Sequence, residues 1–379
     1  MGGVTAWLLG FTLVRLLNVR LAIALTAALA FAFDPVQIVH EHLILTEATA
    51  LLVMAGFLIT GSRYLQEPDW WRLVPLCFLG ILLVSLRIVY LPLVLLSAVL
   101  LPLAALRTRP RALALALGVS CVSTFLFHRG YMELTGSLAR REPAYHYATG
   151  LFLLAAAAPI VEVQDSDDPR VMQMVVEQNQ GALPLSSASR SLQLWNAGGL
   201  VERLKNTFHG DARMADRAAQ RLATKAILRN PWGFLKFGIN AYIDYWRRLP
   251  DLRGILASEN GSGTGTVVLP YDADIVRRAF REDVSGQNAL EKPSRQYHIW
   301  GRSWYVFLLA SPALAAIALW LSRGSSTFLT QAFSFIWSCA LLAATCLGSD
   351  DSYRYLHPFS FTGLVAAALL VEKFTSRPA

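Results

Sequence analysis

The stretch LVPLCFLGILLVSLRIVYLPLVLLSAVLLPLAAL, residues 73–106, carries one charge, Arg87. A helix that crosses a bilayer needs about 20 apolar residues. The run therefore divides into two spans, 73–87 and 90–106, with Arg87 marking the short loop between them. Working outward, apolar runs place further spans at 4–18, 20–34, 43–62, 112–127, 304–322, 328–348 and 358–372. The expected fold is all-α membrane: a polytopic helical bundle of about nine spans with one large, mainly helical extracytoplasmic domain. It divides into an N-terminal bundle of about six spans over 1–127, the outer domain over 128–303, and about three closing spans over 304–379. The first two spans are short for a hydrocarbon core ~30 Å thick. They read either as a kinked pair or as one tilted helix broken near Asn18.

Composition agrees. Only 16% of residues are charged while 54% are hydrophobic, against roughly a quarter charged in soluble domains. The net charge of +8 suggests nucleic acid only where basic residues cluster on one face. Here the arginines sit at the ends of apolar runs, so no nucleic-acid partner is expected and the charges report topology instead. One set of alternate loops and ends holds Arg15, Arg20, Arg63, Arg72, Arg107, Arg109, Arg111, Arg323, Lys373 and Arg377; the opposite set holds only Arg87 and Arg354. Cationic loops stay cytoplasmic, which implies a multi-pass inner-membrane protein with its C-terminus inside and 128–303 outside. The N-terminus then falls outside although it has no positive leader region, as it would if a further span preceded it. Cys77, Cys121, Cys339 and Cys346 all lie in apolar segments, with neither metal-ligand spacing nor a disulfide framework.

Within the polar excursion, 149–161 is apolar but too short to span, and reads as a buried helix or one resting on the membrane. Segment 211–229 has the period of a solvated amphipathic helix. Segment 231–248 is rich in aromatic residues (Trp232, Phe237, Tyr242, Tyr245, Trp246) and reads either as a helix at the headgroup interface or as one docked on the outer domain. Residues 258–266 read as a loop, and Asn260-Gly261-Ser262 matches a weak glycosylation pattern.

The unusual chemistry lies in the outer loops. The first, 34–47, holds Asp34, His40, Glu41, His42 and Glu47, the last at the start of an apolar helix with Thr46 as a candidate cap. A helix N-terminus favours a carboxylate, so Glu47 has a structural reading. Ionisable groups near membrane depth are also costly and commonly functional. Two carboxylates with a histidine suit acid–base work or a divalent cation, Mg or Mn. The second loop, Ser349-Asp350-Asp351-Ser352-Tyr353-Arg354-Tyr355-Leu356-His357-Pro358, sets an arginine between two tyrosines. That is either an aromatic belt with a salt-bridged arginine or a fork for a phosphate.

These stretches resemble the integral-membrane C superfamily of glycosyltransferases, most closely the branch similar to protein O-mannosyltransferases and lipid A aminoarabinose transferases. The likeness rests on 34–54, on 80–92 (a span ending in Arg87 and followed by Pro92), on 353–358 (Tyr-Arg-Tyr-Leu-His-Pro), and on the order of spans. The resemblance implies transfer of a sugar from a polyprenyl-phosphate donor to a glycan, lipid or protein acceptor at the outer face. It puts Glu47, Glu41 and His42 in catalytic roles, with Glu47 and Glu41 as metal ligands, and Arg87 and Arg354 on the lipid phosphate. Tyr353, His357, Asp350 and Asp351 would line the substrate. The carboxylate that follows the first span in such enzymes has no counterpart here, in keeping with a missing upstream span. Other readings are a lipid-linked glycan flippase or transporter, a polymerase or ligase of such glycans, and a non-catalytic subunit of envelope polysaccharide assembly. A carrier is expected to bury charges at mid-span or to repeat itself in inverted form; the sequence does neither.

Overall fold

A computed structural model describes residues 1–34, 37, 46–106, 108–140, 142–143, 148–186, 190–247, 274, 277–278, 281, 293–348 and 353–376. All the regular structure among them is helical. Helix α1 (Gly2–Phe11) runs into a π-turn (Thr12–Leu16), and the chain reverses into α2 (Leu21–Ala32). The reversal passes through Asn18 at φ 55°, a left-handed conformation that asparagine tolerates better than most residues. Of the two expected readings, the pair is the one observed: α1 and α2 pack on each other.

Helix α3 (Glu47–Gln66) is the axis of the bundle, with 72% of its apolar window buried. Leu51, Met54 and Phe57 point inward among α1, α4 (Leu73–Leu86), α5 (Leu91–Leu106) and α14 (Phe328–Gly348). Lipid tails are as apolar as leucine, so close packing rather than escape from water holds such helices together. Helix α6 (Pro110–Ala139) is an edge element, with only 17% of its window buried. Its Val122, Phe125 and Leu126 face outward, as do Leu95 and Val99 of α5. Apolar side chains exposed in such numbers mark a lipid-facing surface. Helices α13 (Pro293–Leu321) and α15 (Phe359–Thr375) complete the bundle, with α15 packed on α13 and α2.

One end of the bundle is stitched by the cationic loops. The Arg20 backbone N–H donates to Glu372 at 2.9 Å, and its guanidinium pairs with the same carboxylate at 3.0 Å. Gln66 Nε2 donates to the Leu16 carbonyl at 2.9 Å, and Arg72 reaches the Arg63 and Glu67 carbonyls at 3.1 and 3.0 Å. The opposite end collects Glu47, Arg87 and Tyr355.

The expected nine spans are corrected to five. Among the described residues the helices long and apolar enough to cross a membrane lie at Glu47–Gln66, Ile88–Leu106, Pro110–Leu138, Ser303–Leu321 and Phe328–Gly348. The apolar helices Gly2–Leu16, Leu21–Ala32 and Trp70–Leu86 are shorter, and α15 has 17 residues. At 1.5 Å per residue a 12-residue helix covers about 18 Å, well short of a ~30 Å core. The chain is a multi-pass membrane protein with five candidate spans.

The large extracytoplasmic domain expected over 128–303 is likewise not shown. Helix α6 continues to Ala139, so the excursion does not begin at 128. Its described part folds as a small helical layer with its own core: α7 (Thr149–Ala157), α8 (Pro169–Gln180), α9 (Arg190–Trp195), α10 (Leu200–Thr207) and α11 (Ala212–Arg229). Segment 149–161 is buried in that core through Leu151, Leu154 and Ala155. Segment 211–229 is amphipathic as expected, with Ala215, Ala219, Leu222 and Ala223 inward. Helices α7 and α11 touch backbone to backbone, and a Cβ on Gly150 would lie 2.1 Å from the Asp216 carbonyl oxygen. Residues 258–266, with Asn260, lie outside the described residues.

Asp216 gives a pH prediction. Its carboxylate accepts the Leu151 N–H at 3.1 Å. Burial pushes its pKa above the ordinary 3.8, opposed by the Leu151 and Gly150 amides. The folded state thus holds this proton more tightly than the unfolded chain, and stability falls as pH rises from 3.8 through the raised value. Asp216→Asn keeps the acceptor and removes the ionisation. It is expected to raise Tm at neutral pH, and the gain should vanish below pH 3.8; a gain independent of pH contradicts the assignment.

Candidate functional site

Glu47 is the first residue of α3, with its side chain 3% exposed. Thr46 stands at the cap position but its side chain makes no cap bond; its carbonyl accepts the Ala50 N–H at 2.8 Å. The carboxylate instead forms an ion pair with Arg87, through Oε1 and Nη2. Arg87 ends α4 in an extended conformation, φ −152° and ψ 118°, and is followed by a short 3₁₀ turn, Ile88–Tyr90. That break in the helix turns the guanidinium inward to α3 rather than outward to water. The two charges neutralise each other where water is scarce, and the α3 N-terminus adds to the hold on the carboxylate.

Tyr355 closes the pair from the other side, its ring centroid 5.0 Å from the guanidinium. It belongs to a 3₁₀ turn, Tyr353–Leu356, between α14 and α15, and this turn and Ile88–Tyr90 both pack on α14. Tyr90 is fully buried and stacks on Trp337 of α14, with centroids 6.4 Å apart and planes at 14°. Trp337 also meets Phe57 of α3 at 4.8 Å. Glu47 Oε2 is buried and has no hydrogen-bond partner among the described residues.

Below Trp337 an apolar groove of about 200 Å³ runs between α3, α5 and α14, lined by Leu93, Leu96, Leu101, Phe333 and Ile336. Its polar side chains are Ser97, satisfied by the Leu93 carbonyl at 2.8 Å, and the indole of Trp337. Leu96 and Ile336 are each half exposed, so the groove opens on the lipid-facing surface. Trp337 belongs to the groove wall and also stacks on Tyr90, three residues after Arg87 in the chain.

Of the residues expected at the site, Glu47 and Arg87 are brought together, as an ion pair rather than as separate acid and phosphate contacts. His357 is fully buried two residues beyond Tyr355. Tyr353 and Arg354 lie in the same turn, but their side chains are outside the described residues, as are Glu41, His42, Asp350 and Asp351. Tyr90, Trp337 and Tyr355 join the site beyond the residues that the sequence marks. Only Tyr355 had a signal, its place beside Arg354. Among the described residues no three His, Cys, Asp or Glu side chains gather to hold a metal. Glu47 offers one carboxylate, paired with Arg87, and Glu41, the other carboxylate expected on a divalent cation, lies outside the described residues. No known family, curated protein or solved structure matches the chain.

Proposed function

We infer that this protein is a membrane glycosyltransferase that takes a sugar from a polyprenyl-phosphate carrier and passes it to a glycan, lipid or protein acceptor. The observation that carries the reading is a buried carboxylate–guanidinium pair at one end of a bundle whose lipid-facing wall also holds an apolar groove. A lipid phosphate matches both halves: hydrocarbon for the groove and an anion for Arg87. In the reaction the acceptor hydroxyl oxygen attacks the anomeric carbon. The bond from that carbon to the phosphate oxygen breaks, with its electron pair leaving on the lipid phosphate. The acceptor proton passes to Glu47, whose Oε2 has no hydrogen-bond partner among the described residues. Arg87 moves its charge from Glu47 to the departing phosphate, where stabilisation of developing charge counts most.

The test is sugar transfer in proteoliposomes with a radiolabelled polyprenyl-phosphate sugar. Glu47→Gln is expected to lower transfer by about 10²-fold or more, the usual worth of a positioned base. Ala332→Trp, which fills the groove, should raise KM for the lipid donor while leaving Tm nearly unchanged. Wild-type transfer in both variants removes the site from the reaction.

A further inference from the structure

We propose that α12 (Pro231–Arg247) lies in the headgroup region of the bilayer, with Trp232, Leu235, Ile239 and Ile243 against lipid. The inference is independent of the transfer reaction. The helix has three faces. Gly238, Ala241 and Tyr245 form one, and all are buried. That face sits on two candidate spans: a Cβ on Gly238 would lie 2.7 Å from Leu347 of α14, and Tyr242 Oη donates to the Leu309 carbonyl of α13 at 3.5 Å. Trp232, Leu235, Ile239 and Ile243 share a second arc at helical spacing, and they are 77%, 42%, 52% and 38% exposed. Lys236, Asn240 and Arg247 form the third, also exposed.

A helix lying across the rim of a membrane bundle meets three surroundings: protein beside it, lipid beneath it and water above it. The three faces of α12 correspond to those surroundings. The spans it sits on are themselves apolar outward, through Val306 and Ile317 of α13 and Ile336 of α14, so the apolar arc continues a lipid-facing surface. Lys236 and Arg247, the latter 3.8 Å from Asp244, suit phosphate headgroups, and tryptophan is enriched at that depth. Leu347 lies at the end of α14 from which the chain proceeds to Tyr355. The helix therefore rests at the end of the bundle that carries Glu47 and Arg87. Neither face could be separated from the other by hydropathy alone, because both contain aromatic residues.

Single cysteines at positions 239, 243 and 240, in a chain freed of its native cysteines, would carry a fluorescent nitrobenzoxadiazole label in phosphatidylethanolamine–phosphatidylglycerol vesicles. Lipids with a nitroxide near the headgroup are expected to quench 239 and 243 several-fold more than 240, and aqueous iodide to do the reverse. Equal iodide quenching at all three overturns the proposal in favour of water or a soluble partner. Shielding of 239 and 243 from both quenchers overturns it in favour of a second copy of the chain. Photolabelling of the unmodified protein with a membrane-confined diazirine guards against a misfolded variant: label on 232–243 is expected, and its absence overturns the proposal.

Discussion

Arg87→Met is expected to destabilise the protein by about 3–5 kcal/mol, and Glu47→Leu by a similar amount, because each strands one buried charge. The double variant Glu47→Leu/Arg87→Met should recover most of that loss, since two apolar side chains then fill the space of a neutral pair. Both side chains lie at a point where water cannot replace the lost partner, at 3% and 12% exposure. The Arg87 ring contact with Tyr355 survives Glu47→Leu but not Arg87→Met, so the arginine variant should fall at the lower stability of the two. Thermal unfolding in nanodiscs, scored as a double-mutant cycle, reads the coupling directly. Single variants as stable as wild type would sink the buried pair as a structural element. The cycle also separates stability from chemistry: the double variant should fold and yet transfer no sugar. If it is both stable and active, Glu47 and Arg87 only hold helices together, and the transferase reading fails at this site.

How far this site could be read from the sequence depends on the kind of information each residue carries. Arg87 stands out as the lone charge of 73–106, and Glu47 as an acid at the start of an apolar helix. Their pairing does not stand out. They are 40 positions apart, and helical periodicity says which face a residue takes but not which residue it meets. Tyr90 and Trp337 look like ordinary apolar-segment aromatics until α5 and α14 are brought side by side. The groove is less visible still, because it arises from side-chain sizes on three helices drawn from both ends of the chain. The helical class follows directly from apolar runs, whereas the span count does not. The segments 4–18, 20–34, 73–87 and 358–372 are apolar enough to span, while the helices in them, Gly2–Leu16, Leu21–Ala32, Trp70–Leu86 and Phe359–Thr375, stop at 17 residues or fewer. Apolar content was legible; continuity of hydrogen bonding was not.

A second large effect comes from Arg190, which no motif marked. It is 8% exposed and reaches from α9 to the end of α14, donating to the Leu347 carbonyl at 3.0 Å and the Cys346 carbonyl at 3.2 Å. The last carbonyls of a helix lack intrahelical partners and carry the negative end of its dipole. A buried guanidinium answers both needs. Hydrogen bonds to charged groups contribute about 1.5–3 kcal/mol each, so Arg190→Met is expected to cost roughly 3–6 kcal/mol. Arg190→Lys keeps the charge but not the two-pronged donor, and should fall between. The consequence reaches the site, because α14 ends at Gly348 and the chain returns at Tyr353–Leu356, the turn that holds Tyr355 over Arg87. Freeing the end of α14 should loosen that turn. Arg190→Met and Tyr355→Ala are thus expected to be non-additive, with the second substitution costing less in the presence of the first. Costs that add within about 0.5 kcal/mol would confine Arg190 to joining the small helical layer to the bundle, with no influence on the guanidinium that Tyr355 covers.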